Sequence, residues 1–312
     1  MKDLLILLVR NKKAAVGGVI LLFFIVLAVF GPLIVGDPTA FVGVPHSPPS
    51  GDHWFGTTGQ GQDVLAQTVA GARTTLMVGV IVGLLSVAIG AFVGVAAGYF
   101  GGWVDDVVSL FINVFLVIPG LPLAIIIAAY LPSGPVTLAL VLIITGWSWN
   151  ARVVRSEALT LRRKDFVAAA IVSGERHVVI ITREMLPNMA SLLVSQLIGA
   201  TVYAIGAQVG LEFLGLGDVS KVSWGTNLYW AANDSALLTG SWWTFVPTGI
   251  CVALVGFGLT MVNFAVDEVT NPRLTSERHW RKALSGQLLG RLGSSTPVLR
   301  QKQPTTEGEG PS

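Results

Sequence analysis

Long uninterrupted apolar runs, separated by short polar stretches, divide the chain. A hydrocarbon layer about 30 Å thick needs about 20 apolar residues of helix to cross it. Six runs come near that length, at 14–35, 74–99, 107–130, 136–150, 191–211 and 242–266. The fourth is short and is set off from the third only by Leu131-Pro-Ser-Gly-Pro135, a tight turn. Without that turn, 107–151 would be too long for one crossing. The pattern predicts an all-α integral membrane protein of about six transmembrane helices. Polar segments lie at 36–73, 152–188 and 212–241, with a lead at 1–13 and a tail at 276–312.

Polar and small positions inside the runs refine this picture. Ser86, Gly90, Gly94 and Gly98 recur every four residues and predict a groove where another helix can approach closely. Pro119 and Pro122 interrupt the third run. The carbonyls they free need partners or water, so either a structural kink or a kink beside a solute path is expected. Trp147 and Trp149 read as an interfacial belt closing the fourth helix. In the fifth run Gln196, Gly199, Tyr203, Gly206 and Gly210 form one stripe at helical spacing, with Gln208 nearly half a turn away. Lipid offers these groups no partners, so Gln196 and Tyr203 are expected to face a water-filled cavity and Gln208 to bond a neighbouring helix, with helix-packing contacts for all three as the alternative. Glu212, at the edge of this run, reads either as a solvated end residue or as a path-lining carboxylate.

Composition excludes an ordinary soluble domain. Only 12% of the 312 residues are charged and 52% are hydrophobic, with a mean hydropathy of +0.69, where soluble chains carry roughly a quarter charged residues. The basic residues are segregated by segment and form no patch, so no nucleic-acid partner is expected. Of the 20 Lys and Arg, 18 fall in the lead, in 152–188 or beyond 267, leaving only Arg73 and Lys221 in the alternate segments. The positive-inside rule therefore predicts both termini and Ser173 and Ser285 in the cytoplasm, with Ser50 and Ser235 outside. The run 14–35 exceeds a signal peptide's apolar region and no Ala-x-Ala site follows, which predicts a retained first anchor. The tail is rich in Gly, Ser, Pro, Gln and Thr and is expected to be disordered. Cys251 is the lone cysteine, and the four histidines (His46, His53, His177 and His279) lack metal-ligand spacing, so neither a disulfide nor a metal site is expected.

The polar segment 152–188 carries the most specific signal. It predicts a short helix around Phe166 and Ala168-Ala-Ala170, a break at Gly174, and a second short helix stopped by Leu186-Pro187. Ala169, Ala170, Gly174, Leu186 and Pro187 stand in register with the coupling-loop motif of the permease subunits of binding-protein-dependent ABC importers, and the chain resembles that family. Ala168 stands where the family often has glutamate, and Glu184 where it often has an apolar residue. Other segments are similar to the oligopeptide/dipeptide (peptide/nickel) type, second-permease (C-type) subunit. They are His53-Trp-Phe-Gly-Thr-Thr58 with Gln62-Asp63 (Trp54, Thr58 and Gln62 being departures), Gly71-Ala-Arg-Thr-Thr75, Tyr99-Phe-Gly-Gly-Trp-Val-Asp-Asp106, the stretch 210–217, Ser223-Trp-Gly225, and 267–274. The resemblance covers roughly 14–275.

It implies a type I importer permease fold in which Ala168, Ala169, Ala170, Gly174, Glu175, Arg176, Leu186 and Pro187 face an ATPase subunit. The implied partners are a homologous second permease subunit, two ABC ATPase subunits, an extracytoplasmic solute-binding protein and membrane lipid. The implied cargo is di- or oligopeptide, with oligosaccharides or a nickel chelate as alternatives; the tryptophans between 224 and 243 suit sugar stacking or interface anchoring alike. The chain lacks a Gly-x-x-x-x-Gly-Lys-[Ser/Thr] loop, so ATP and Mg are expected on the partner subunits, with no cofactor and no catalytic residue here. Helices two to six lack mid-helix charge, which speaks against a membrane enzyme and against an ion-driven carrier or channel.

Overall fold

The structure, a computed structural model, describes residues 11–270. Most of the expected lead (1–10), the tail 276–312 and Ser285 lie outside the described residues. Within them the chain is helical, with only two isolated bridges, Phe41 to Gln62 and Thr57 to Asp63.

Helix α1 (Lys12–Ile34) starts at an Asn11 cap and turns Val19, Leu22, Phe30 and Leu33 outward, as a lipid-facing surface requires. Helix α2 (Val64–Phe100) begins ten residues before the expected span, because the Asp63 carboxylate accepts the free Ala66 N–H at 3.0 Å. Its 37 residues make it about 55 Å long, well beyond the hydrocarbon layer.

The expected third span is broken. Helix α3 (Gly102–Val117) and helix α4 (Gly120–Tyr130) meet at 83°. Pro119 sits at the break as the residue before α4, whereas Pro122 lies in the first turn of α4, where its missing N–H costs nothing. Helix α5 (Pro135–Arg162) corrects the expected end at residue 150. It carries Arg152, Arg155 and Arg162 in its extension, and Arg155 forks onto Asp105 of α3 at 2.5 and 2.7 Å. Trp147 and Trp149 thus sit within α5, Trp147 edge-on to Phe115 at 5.3 Å, and do not close the helix.

Helix α6 (Asp165–Val172) and a second helical stretch, α7 (177–188), form a hairpin. Helix α8 (Ala190–Phe213), helix α9 (Trp224–Asn233) and, after a turn at Trp242–Thr244, helix α10 (Val246–Thr270) complete the described chain. Helix α10 starts four residues after the expected span. Pro187 does not end its helix. Residues Ile180–Met185 are wound as a π-helix, with Leu186 N–H donating five residues back to Ile181. That widening places Pro187 in the first turn of the following helical segment.

Contacts between helix ends establish the path through the bilayer. Asn11 and Lys13, opening α1, reach Glu268 near the end of α10 at 3.3 and 3.6 Å, so both lie on one face and the number of crossings is even. The ends of α2 and α5 also meet, since a Cβ on Gly98 would fall 2.5 Å from the Ala158 Cβ. Helix α3 leaves from that face, and α5 starts from the other. The bent pair α3–α4 is therefore one broken crossing and not a re-entrant loop, and with α1, α2, α5, α8 and α10 it makes six. The hairpin lies on the same face as the start of α1.

Candidate functional site

Two regions collect the residues singled out by the sequence. The first is a cavity of about 710 Å³ walled by α2, α3, α5, α8 and α10, within the usual range for ligand sites. Gln196, Gly199 and Tyr203 of α8 all line it, as do Ser86 of α2, Asn150 of α5 and Asn263 of α10. Tyr203 is 43% exposed. Gly206 and Gly210, further along the same stripe, lie outside the lining. The Ser86 hydroxyl and the Asn263 amide oxygen have no hydrogen-bond partner among the described residues.

The wall is rigid where α2 meets α5. A Cβ on Gly90 would lie 2.6 Å from the Asn150 Cβ, and one on Gly94 2.6 Å from the Ala151 carbonyl oxygen. Only glycine lets these two backbones approach so closely. Gly83, about two turns before Gly90 and nearer the face opposite the hairpin (the far face), packs on Thr201 of α8 with the Thr201 nitrogen 3.0 Å from a would-be Cβ. The stripe thus continues past Ser86 and changes partner.

The second region is the hairpin. Helix α6 ends in a Schellman motif: Glu175 N–H donates to the Ala170 carbonyl at 3.1 Å and Gly174 N–H to Ile171 at 3.0 Å. Gly174 takes φ 75°, and nothing lies within 4 Å of its would-be Cβ. The turn therefore demands glycine for its backbone and not for space. Ala168, Ala169, Glu175 and Arg176 are exposed, as are Ile171, Val172 (88%) and Val178 (70%), giving the tip an uncovered apolar knuckle. The inner side is buried. Val167, Ile180 and Met185 join Val95 and Tyr99 of α2 and Val154, Ala158 and Leu161 of α5 in one apolar cluster, with Leu186 packed against it.

The sequence reading missed a third feature, on the far face. Glu212 is 3% exposed, not solvated, and does not line the cavity. Its carboxylate accepts from Gln208 Nε2 at 3.0 Å, from Ser223 Oγ at 2.6 Å and from the Gly225 N–H. Gln208 is fully buried and bonds its own helix one turn on, where a neighbouring helix had been expected. A carboxylate at the negative end of α8 is disfavoured by that helix, but it also sits at the first turn of α9, whose free N–H groups it helps satisfy. Ser223 and Thr226 form a capping box there. Trp224 is fully buried edge-on to Phe24 at 5.7 Å, and its indole N–H donates to the Thr68 carbonyl at 2.9 Å. That leaves it no face for sugar stacking. Asn227 donates to the Gln67 carbonyl at 3.1 Å. The signal that could have revealed this lock was glycine at 217 and 225, where a Cβ would come within 2.8 and 2.5 Å of Glu212 side-chain carbons.

The segment 37–63 covers the same face. Gly56 and Gly61 have φ 70° and 72°, His53 Nδ1 lies 3.2 Å from Asp63, and the Trp243 indole N–H donates to the Thr57 carbonyl at 3.2 Å. Its motif residues are spent on folding the loop and capping α2.

Comparison with known proteins follows the same outline. Residues 87–274 match the family described as binding-protein-dependent transport system inner membrane component. Residues 1–50 match the N-terminal TM domain of oligopeptide transport permease C. The chain is 34% identical over 279 residues to the dipeptide transport system permease protein DppC of Bacillus subtilis, covering 85% of this chain and 83% of the relative. It is 32% identical over 280 residues to the oligopeptide transport system permease protein OppC of the same organism, covering 88% and 90%. OppC of Mycobacterium tuberculosis is 36% identical over 222 residues, covering 68% and 75%.

Proposed function

The chain belongs to the family of binding-protein-dependent transport system inner membrane components, and from that premise we propose that it forms half of the translocation pathway of an ATP-driven importer of di- and oligopeptides. The cargo reading rests on the relatives, named as dipeptide and oligopeptide transport permeases. The observation that carries the mechanism is the pairing of a cavity that receives several polar side chains with a hairpin whose tip is uncovered and whose inner side is packed on two cavity-wall helices.

The chain itself is a permease and not the enzyme. ATP and Mg act on two ABC ATPase subunits, one of which takes the knuckle formed by Ala168, Ala169, Val172, Gly174, Glu175, Arg176 and Val178. Leu186 and Ala170 contribute from inside, packed against the apolar cluster that holds the hairpin, while Pro187 lies exposed on the second arm. A homologous second permease supplies the other half of the cavity, and a solute-binding protein delivers peptide to the far face. ATP binding closes the ATPases, the hairpin moves with them, and the helices rock between two openings. Gln196 and Tyr203 present an amide and a hydroxyl to the passing peptide.

In this reading the hairpin face is cytoplasmic. Lys12, Lys13, Arg152, Arg155, Arg162, Arg163, Lys164, Arg176 and Arg183 all belong to it, while Arg73 and Lys221 are on the far side.

The test is uptake by the complete complex in proteoliposomes, with the binding protein added outside. ATP-dependent accumulation of a labelled tripeptide, competed by other peptides and not by oligosaccharides or nickel chelates, is the expected result. Uptake driven by an ion gradient without the ATPase subunits would overturn the assignment. Single cysteines at Ser50, Ser235 and Ser173, in a chain with Cys251 replaced, test the orientation. Labelling at Ser173 by an impermeant reagent from outside intact cells would reverse it.

A further inference from the structure

The hairpin is held almost entirely by apolar contacts, which fix proximity but not register. One directional contact is added to them. The Tyr99 hydroxyl lies 2.8 Å from His177 Nδ1. Among the described residues this is the one side-chain hydrogen bond from 165–188 to another helix. The His177 ring also stands edge-on to Tyr99 and Phe100, with centroids at 5.6 and 5.9 Å.

The two residues occupy particular places. Tyr99 is the second-last residue of α2 and is only 4% exposed. His177 opens α7, three residues beyond the Gly174 turn, and is exposed. Helix α2 runs unbroken from Tyr99 back to Ser86 and Val82 in the cavity wall, a distance of about 20 Å from Tyr99 to Ser86. Along that length it is seated on α5 through Gly90, Gly94 and Gly98. A displacement of the hairpin tip therefore meets α2 first at His177, and α2 passes it to the cavity wall as a stiff rod.

We propose that Tyr99 and His177 are a positioning pair: their bond fixes α7 to the end of α2, so that movement of the hairpin is converted into movement of the cavity wall and not absorbed by slippage in the apolar cluster. The proposal rests on the permease reading above. The pair touches neither nucleotide nor solute. Its loss should separate hydrolysis from transport and leave each component intact.

The experiment uses the reconstituted four-subunit complex with its binding protein, measuring ATP hydrolysis and tripeptide uptake in the same vesicles. Tyr99→Phe and His177→Phe each delete the bond and keep the ring packing. The expected result is normal assembly, hydrolysis near the wild-type rate, and uptake per ATP reduced roughly fivefold. The exchanged pair Tyr99→His with His177→Tyr offers the bond in reverse and should recover most of the ratio. Either of two results overturns the pair's role: an unchanged ratio in both single variants of a working transporter, or failure of both to assemble, which would make the contact a folding contact only. Absence of ATP-dependent uptake in the wild-type complex would instead remove the permease reading on which the pair depends.

Discussion

The far face and the hairpin of this helix bundle are fastened by different physics. On the far face, α8 and α9 are joined through a buried carboxylate, and α9 is bonded to α2 through Trp224 and Asn227. Each bond has a fixed direction and a buried polar group that is costly to leave unpaired. In the hairpin, Val167, Ile180 and Met185 are held by apolar contact, which tolerates sliding as long as area stays covered, and among the described residues the Tyr99–His177 bond is the one directional side-chain tie to another helix. The contrast assigns roles. In the proposed importer the far end is the fulcrum, and the hairpin is the part that shifts, tied to α2 by that one bond.

The largest expected effect comes from breaking the polar end. Glu212→Leu leaves the Gln208 amide, the Ser223 hydroxyl and the Gly225 N–H without their acceptor, and should cost about 3 kcal/mol or more. Glu212→Gln, which keeps an acceptor oxygen, should cost less. Thermal unfolding of the detergent-solubilised protein measures both, and a Leu variant as stable as wild type would remove the lock from the account. Next comes the seam that joins the ends. Gly98→Val would press into Ala158, 2.5 Å from the would-be Cβ, and Arg155 O, 2.9 Å away, an overpacking cost of about 1–3 kcal/mol. The same unfolding assay checks it, with stability retained only if α2 and α5 can part.

At the hairpin the expected stability effect is smaller and the functional one larger. Gly174→Val meets no neighbour and suffers only the left-handed backbone, about 1–2 kcal/mol confined to the turn. Assembly should survive while ATP-dependent uptake falls; wild-type uptake would take the turn out of the mechanism. The last prediction concerns the cavity between the two ends. With Cys251 replaced, single cysteines at 196 and 203 should react with small hydrophilic thiol reagents to a degree that changes with nucleotide state. A cysteine at the buried Gln208 should stay inert in every state. Equal reactivity at all three would show that the far end opens as freely as the hairpin end.

The sequence revealed the crossings better than the ends of the helices. Hydropathy marks where lipid stops, not where hydrogen bonding along the backbone stops, so the run ending at Asn150 gave no sign that α5 continues to Arg162. The positive-φ turn at Gly174 was legible because no other residue takes that conformation as cheaply. The course of the chain past Pro187 was not, because a π-wound turn shifts the proline into a position where its missing N–H is harmless. Glu212 was misjudged for a related reason. Burial of a carboxylate depends on donors brought from Ser223 and Gly225, eleven and thirteen residues away in sequence, and an apolar run says nothing of partners that distant.

The break between α3 and α4 bears on how the chain enters the bilayer during synthesis. With 16 and 11 residues, each piece falls short of the about 20 that a lone crossing needs, so insertion machinery that scores hydropathy has reason to accept them only as one unit. If that unit failed to cross, every later helix would enter upside down and the hairpin would emerge on the wrong face. With the hairpin face cytoplasmic, as proposed, the arginines that follow in α5 oppose that outcome, because they resist transfer across the membrane. In that orientation the residues that extend α5 past the lipid would also serve as a ratchet, holding a marginal crossing in place until its neighbours have assembled around it.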